Sequence, residues 1–385
     1  MRKSGHHSLT TLSGAAYILP FGQGAADRRS GVKLDETGVF LWNALDSADS
    51  FDGLLKLYME HEGCPDTDEL RKRLTVFLDE LKASGIIIEG EGKSVPYFGT
   101  LSIAGIRVRL FGPERYFSKE LEPFLTSGSD SFDQTVTVTE AMMPELLDTR
   151  VLFNDSELTV CESSEGFLLY YPQNAFLRFV SISRDGSAVR MFVRGSYTQR
   201  AVTTLSFELF NALNCSFLYL AQRRGYFALS AASIQYCDKA WLFCGSSDAG
   251  KSAQVELWRK NYAVNMLNGE LALLSDNGDG TIMFHGMPWC GASGVTTRRS
   301  LPLGGVILLR SGLENKVEAL SDDAMQLMTA ESIISPVWTE EMLRLNIDFT
   351  GKLIKNAAVW RYTCTKELAA AAVMKAAVDR YVRRE

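Results

Sequence analysis

The residues with the clearest chemistry lie at positions 240–258. They contain Gly245-x-x-x-x-Gly250-Lys251-Ser252, which fits the Walker A phosphate-loop pattern position by position. Glycines there let the backbone wrap with its N–H groups inward, at the positive end of the following helix. Such a cavity suits a polyphosphate. Gly245, Ser246, Ser247, Asp248, Ala249 and Gly250 would form the cradle. Lys251 would reach the β- and γ-phosphates as a point charge, and Ser252 would offer its hydroxyl to Mg2+. The expected ligands are ATP and magnesium. Asp248 is an awkward member, because an acid among phosphates must point outward or meet the metal.

A second constellation is the polar knot Asn268-Gly269-Glu270, set between two apolar runs. It is the place to look for an acid on the magnesium side. Phosphoryl transfer needs positioning, charge neutralisation and an acid to take the hydroxyl proton. Glu270 is therefore a candidate catalytic and metal-binding residue; the plain alternative is an exposed acid at a strand end. Asp248 or Asp276 could supply a second carboxylate. Arg298 and Arg299 follow a Gly-rich segment at 284–294 and could clamp the γ-phosphate bidentately, or simply form a solvated pair. His285 could shuttle a proton but is read as structural, and Trp289 could stack on the nucleotide base but is read as core or as an anchor of its loop.

These groups work only if the chain positions them. Residues 240–244 are an apolar run of strand length, and 252–260 hold no Gly or Pro and read as a helix. Ahead of them, 101–110 alternates apolar and polar residues and predicts one half-buried strand. Asp185-Gly186 between alternating runs predicts a hairpin, 205–222 a helix, and 226–234 a strand beside the Walker strand. Behind them, Asp279-Gly280 marks a further hairpin, 303–309 and 359–363 strands, and 321–329, 339–355 and 366–382 helices. In the first 94 residues, strands are expected at 15–21, 26–29, 31–34 and 86–89. Three helices are expected, capped by Thr37, Ser50 and Asp66 or Asp68. The third carries Leu70, Leu74, Phe77, Leu78 and Leu81 as one stripe and ends at Gly85. Residues 89–96 read as a linker.

The chain has 385 residues and a net charge of −6, which predicts two or three domains and no broad basic face for nucleic acid. No apolar run is long enough to span a membrane, and the start lacks a signal-peptide core. Seven scattered cysteines without a C-x-x-C pair fit a reducing cytoplasm and argue against zinc.

Two resemblances extend this reading. Residues 17–23, 34–42 and 77–86 (Tyr-Ile-Leu-Pro-Phe-Gly-Gln, Leu-Asp-Glu-Thr-Gly-Val-Phe-Leu-Trp and Phe-Leu-Asp-Glu-Leu-Lys-Ala-Ser-Gly-Ile) resemble the PqqD-like family, the recognition element for ribosomally made, modified peptides. The resemblance implies a winged-helix-like domain over 1–94 that pairs a precursor's leader against its third strand. Val32, Lys33 and Leu34 would be that edge, with Arg71, Lys72 and Arg73 facing an acidic leader; the alternative is that these basic side chains only solvate a helix. Residues 229–234, the Walker loop, the polar knot and Gly286-Met-Pro-Trp-Cys-Gly291 resemble HPr kinase and PEP carboxykinase. This implies a mixed-sheet P-loop domain over 95–385, with a sheet-rich lead-in at 95–230 and a nucleotide-binding core at 231–385. The fold class is thus α+β with an α/β core.

That family commonly has His where Ser230 stands, and paired aspartates where Asn268-Gly269-Glu270 stands. The leading expectation is a kinase that binds a precursor's leader and phosphorylates a Ser/Thr-type hydroxyl in the peptide. Other peptide-modifying enzymes would be further partners, and a homo-oligomer is open. The alternatives are a recognition subunit that binds nucleotide and peptide without transfer, and a kinase for a free small molecule such as serine.

Overall fold

The computed structural model describes residues 2–3, 7–20, 31–46, 48, 51–84, 86–88, 95–127, 131–140, 149–194 and 199–383. The strand expected at 26–29, the cap at Ser50, the helix end at Gly85 and the linker at 89–94 lie outside them. The chain forms two compact units, one holding Met1–Ser94 and the other holding Val95–Glu140 and Leu147–Glu385. Both mix helices with sheet.

In the front unit, β1 (His7–Leu12) and β2 (Ala15–Pro20) form a hairpin. Its turn residues Ser13 and Gly14 have φ of 48° and 80°, the left-handed pair that a two-residue hairpin turn needs. β3 (Val32–Leu34) pairs with β2 and forms an edge of this sheet. Helices α1 (Glu36–Ala44), α2 (Phe51–Glu62) and α3 (Asp68–Ala83) follow. Ile18, Leu34, Leu41, Trp42, Leu54, Tyr58, Leu74 and Leu78 meet in one core. Two caps differ from expectation. Asp35, not Thr37, accepts the Gly38 N–H at 2.7 Å, and Thr67, not Asp66 or Asp68, accepts the Leu70 N–H at 3.2 Å. A cap must sit just outside the helix, and Thr37 and Asp68 lie within the first turn. The expected strand at 86–89 is Ile87–Ile88, paired with Arg2–Lys3.

The rear unit opens with a nine-stranded sheet. Residues 101–110 are not one strand. Tyr97–Ile103 and Ile106–Phe111 pair as a hairpin around Ala104 (φ 52°) and Gly105 (φ 82°). The buried positions are Leu101, Ile103, Ile106, Val108 and Leu110; the spacing slips from two to three at the turn, which marks it. The Asp185-Gly186 hairpin joins Leu177–Ser183 to Ala188–Val193 as expected. Helix α4 (Gln199–Arg223) buries Leu205, Leu209, Ala212, Leu213, Phe217 and Leu220 in the core beneath this sheet.

The second sheet has eight strands. β4 (Tyr226–Tyr236) pairs antiparallel with β5 (Lys239–Cys244) through its second half. Helix α5 (Lys251–Tyr262) follows β5, then β6 (Asn265–Asn268), β7 (Leu271–Asp276), β8 (Ile282–His285) and β9 (Ser300–Ser311). The short strand Lys316–Glu318, helices α6 (Asp322–Ala330) and α7 (Glu340–Asn356), strand β10 (Ala358–Cys364), which pairs with that short strand, and helix α8 (Leu368–Val382) complete it. β4 pairs with β7 through its first half, β7 with β8, β8 with β9, and β9 runs parallel to both β5 and β10. The pairings thus close a circuit, β5–β4–β7–β8–β9–β5. β5 is paired on both sides and Ala240 to Cys244 are fully buried, which explains its unbroken apolar sequence. The loop after Cys244 is therefore anchored to a rigid strand. Among the described residues no helix is long and apolar enough to cross a membrane.

Candidate functional site

The Walker loop leaves the carboxyl end of β5, where strands of such sheets commonly face a ligand. Gly245 has φ of 150°, and a Cβ there would lie 2.7 Å from Ala249 Cβ and 3.1 Å from Leu309 O. Only glycine fits this approach. Gly250, at φ 91°, starts α5, and no side chain caps that helix. Its first N–H groups have no carbonyl one turn back to bond and stand at the loop. Lys251 Nζ donates to Gly245 O at 2.6 Å and Ser246 O at 3.2 Å, so the loop's own carbonyls hold the ammonium.

Lys251 and Ser252 line a cleft of about 1120 Å³, faced by Glu256 and Arg259 of α5, Gly269, Glu270, residues 290–293, and Glu331 and Ser332. A second cleft of about 1520 Å³ shares Ser230, Glu270, Cys290, Gly291 and Ala292 with the first. Glu270 thus stands where the two clefts meet. Burial pushes the Cys290 thiol up, which keeps this neighbour protonated and a poor nucleophile.

The polar knot is built around Asn268, which is fully buried. Its Nδ2 donates to Met287 O at 3.1 Å and Trp289 O at 3.2 Å. Its Oδ1 accepts the N–H groups of Glu270 at 2.9 Å and Leu271 at 3.0 Å. The amide is used at every position it offers. Asn268 ties the knot to the Gly-rich segment, and Glu270 is the knot's acid. The segment packs closely on it. A Cβ on Gly269 would lie 2.2 Å from Ser293 Oγ, and one on Gly291 (φ 58°) would lie 2.1 Å from Glu270 Oε2.

Other expected site residues lie elsewhere. Asp248 is exposed and lines neither cleft; the Ser247 side chain is outside the described residues. Arg298 and Arg299 are exposed and also line neither cleft, and Arg299 donates to Gln235 Oε1 at 2.7 Å. His285 sits between Ser275 Oγ (2.9 Å) and Ser300 Oγ (2.7 Å), and burial pushes its pKa down to about 4, so it is a neutral structural group. Trp289 Nε1 donates to Phe210 O at 2.9 Å, which makes it a loop anchor. Asp276 lies with Lys352 at 3.3 Å. The sequence reading missed Arg259, Glu256 and Glu331. Arg259 was legible in principle: Lys251, Val255 and Arg259 fall at i, i+4 and i+8 on one helix face.

Oxygen donors at the first cleft include the Ser252 hydroxyl and the Glu256, Glu270 and Glu331 carboxylates. Among the described residues no three His, Cys, Asp or Glu side chains gather as a metal site. Magnesium bound with a nucleotide takes one or two protein oxygens and completes its shell with phosphates and water. This hard-oxygen donor set fits that ion.

In the front unit, β3 and α3 border a groove of about 720 Å³. Val32, Lys33 and Leu34 line it from the strand edge, and Lys72, Arg73, Val76 and Phe77 from the helix. Arg73 lies 3.3 Å from Glu69 across an exposed i,i+4 pair, a weak link that an incoming acid can replace. Arg71 does not line the groove; its guanidinium Nε donates to Asp66 at 2.7 Å.

Residues 25–87 match the family model of coenzyme PQQ synthesis protein D (PqqD). None of the curated proteins matches the chain. The match spans β3 and all three helices, the elements that border the groove, and it connects the front unit with peptide modification in the biosynthesis of ribosomally made peptides.

Proposed function

We propose that the protein is an ATP-dependent kinase that captures the leader of a ribosomal precursor peptide on its front unit and phosphorylates a Ser/Thr-type hydroxyl in its rear unit. The observation that carries this reading is Glu270 at the junction of two clefts, one of which holds Lys251 and Ser252. A leader would add as a strand to the edge of β3, with Lys33, Lys72 and Arg73 answering its acids and Phe77 and Val76 its apolar side chains. Holding the leader raises the local concentration of the acceptor at the rear unit.

In the rear unit the uncapped start of α5 and the Lys251 ammonium would bind the β- and γ-phosphates, and the ammonium would leave its loop carbonyls to do so. Ser252 and Glu270, with Glu331 within the same cleft, would hold magnesium, which when bound neutralises charge on the β- and γ-oxygens. The acceptor oxygen attacks the γ-phosphorus, the bond to the β–γ bridging oxygen breaks, ADP leaves, and the hydroxyl proton passes to Glu270. An acid in that role contributes roughly 100-fold or more to the rate. Glu270→Gln should therefore lower peptide phosphorylation by at least that factor while ATP binding persists, and Lys251→Ala should abolish transfer. Full activity in either variant would sink the assignment of the site.

A second reading is a recognition subunit that binds nucleotide and peptide but transfers nothing. It is favoured by Asn268, which is committed to structural bonds where the resemblance to HPr kinase leads one to expect an acid. Mass analysis of the peptide separates the two.

A further inference from the structure

We propose that the second cleft is the seat of the acceptor segment, and that it selects a serine or threonine flanked by an apolar side chain and by no acid. This rests on the kinase reading for what happens to the segment, but the binding site stands on its own observations. The cleft shares the Glu270 wall with the nucleotide cleft, so a hydroxyl entering from this side meets the proton acceptor and the γ-phosphate together. Its volume of about 1520 Å³ exceeds the ~300–1,000 Å³ of ordinary small-molecule sites. It fits several residues of extended peptide rather than a free amino acid.

Helix α4 carries the decisive detail. One of its faces is the core stripe already described. Its other stripe, Thr203, Ser206, Phe207, Phe210, Asn211 and Asn214, lines this cleft at helical spacing. Phe207 is 65% exposed, an aromatic platform left open beside hydrogen-bonding groups. Phe210 is fixed beneath, with its ring 5.7 Å from that of Trp289 and its carbonyl holding the indole N–H. The charges also discriminate. Glu114, Glu120, Glu122 and Glu270 line the cleft against Arg115 and Lys119, so an acid beside the acceptor is repelled and a lysine is favoured.

The test uses the full chain and two fluorescein-labelled octapeptides, each with a central serine. One has leucine, phenylalanine and lysine around the serine, and the other has aspartate at the apolar positions. Anisotropy should show the first binding at least tenfold more tightly than the second. Phe207→Ala should weaken the first about tenfold with unchanged binding of a fluorescent ATP analogue. Because Phe207 is on the surface, this variant should keep the wild-type melting temperature, which checks its fold. Free L-serine should not compete. Equal binding of the two peptides, no binding of the first at millimolar concentration, or indifference to Phe207→Ala overturns the proposal. Adding magnesium-ATP keeps the two claims apart. An octapeptide that binds through Phe207 and is never phosphorylated counts against the kinase and for the cleft. Phosphorylation that ignores Phe207 counts against the cleft alone.

Discussion

Replacing Asn268 by Asp installs the acid that the resemblance to HPr kinase leads one to expect at the knot, and the geometry here predicts that it harms the protein. The amide's two donations to Met287 O and Trp289 O would be lost. Each hydrogen bond is worth about 1 kcal/mol net, and leaving Trp289 O without a donor costs about 1–3 kcal/mol more, while Met287 O keeps the Thr296 hydroxyl. A carboxylate oxygen facing two carbonyls adds repulsion, which protonation relieves in part by restoring one donor. The sum is a loss of about 3–5 kcal/mol near neutral pH. At ~2–4 °C per kcal/mol for a domain somewhat smaller than the rear unit, the melting temperature should fall by roughly 10 °C. The penalty has a pH sign. The buried carboxyl's folded pKa must lie above its unfolded value, so protonation supports the fold, and the variant should lose further stability as pH rises through that folded pKa. Calorimetry at pH 5 and pH 8 on both proteins measures this, beside ATP turnover with peptide. A melting temperature within about 2 °C of wild type together with a gain in turnover would refute the reasoning and revive the idea of a disabled kinase awaiting its aspartate.

Three further outcomes follow from particular contacts. Gly291→Ala brings a methyl group into the space of Glu270 Oε2, so phosphorylation should drop at least tenfold while nucleotide affinity holds; an unchanged rate would mean that the carboxylate is not used where it stands. His285, with its folded pKa near 4, supports the fold fully above the unfolded value of about 6.5 and loses that support as pH falls between the two, a swing of up to about 3 kcal/mol. Acid titration of the melting temperature should therefore be shallower for His285→Gln over that window. Reversing two groove charges with Lys33→Glu and Arg73→Glu should weaken binding of an acidic leader peptide by about tenfold or more without moving the melting temperature, since neither side chain supports the core; equal affinity would place the leader elsewhere.

Much of the candidate site was legible because the Walker pattern is local: its glycines, lysine and serine lie within eight residues, between a strand and a helix that the flanks announce and the structure forms. Asn268 was not legible. Its role depends on carbonyls 19 and 21 residues away, and from sequence an amide in place of an acid looks like a defect. Arg298 and Arg299 misled for the converse reason, because proximity to a Gly-rich segment says nothing about which way the chain leaves it. The hairpin at Ala104-Gly105 lacks an Asn-Gly or Asp-Gly signal, and only the slip in spacing between Ile103 and Ile106 betrays it. In the front unit the helical stripe of α3 was read correctly for Leu70, Leu74, Leu78 and Leu81, which are buried, while Phe77 packs on that core only in part and also lines the groove. Helical spacing finds a face; it does not separate core from binding surface along its margin.

The most direct measurement is the mass of a candidate ribosomal precursor peptide, after incubation with the full chain and magnesium-ATP, for wild type and Glu270→Gln. The account predicts a gain of one phosphoryl group with wild type and none over the same time with the variant. An unmodified peptide, with peptide and ATP both shown to bind, would contradict it and leave a recognition subunit.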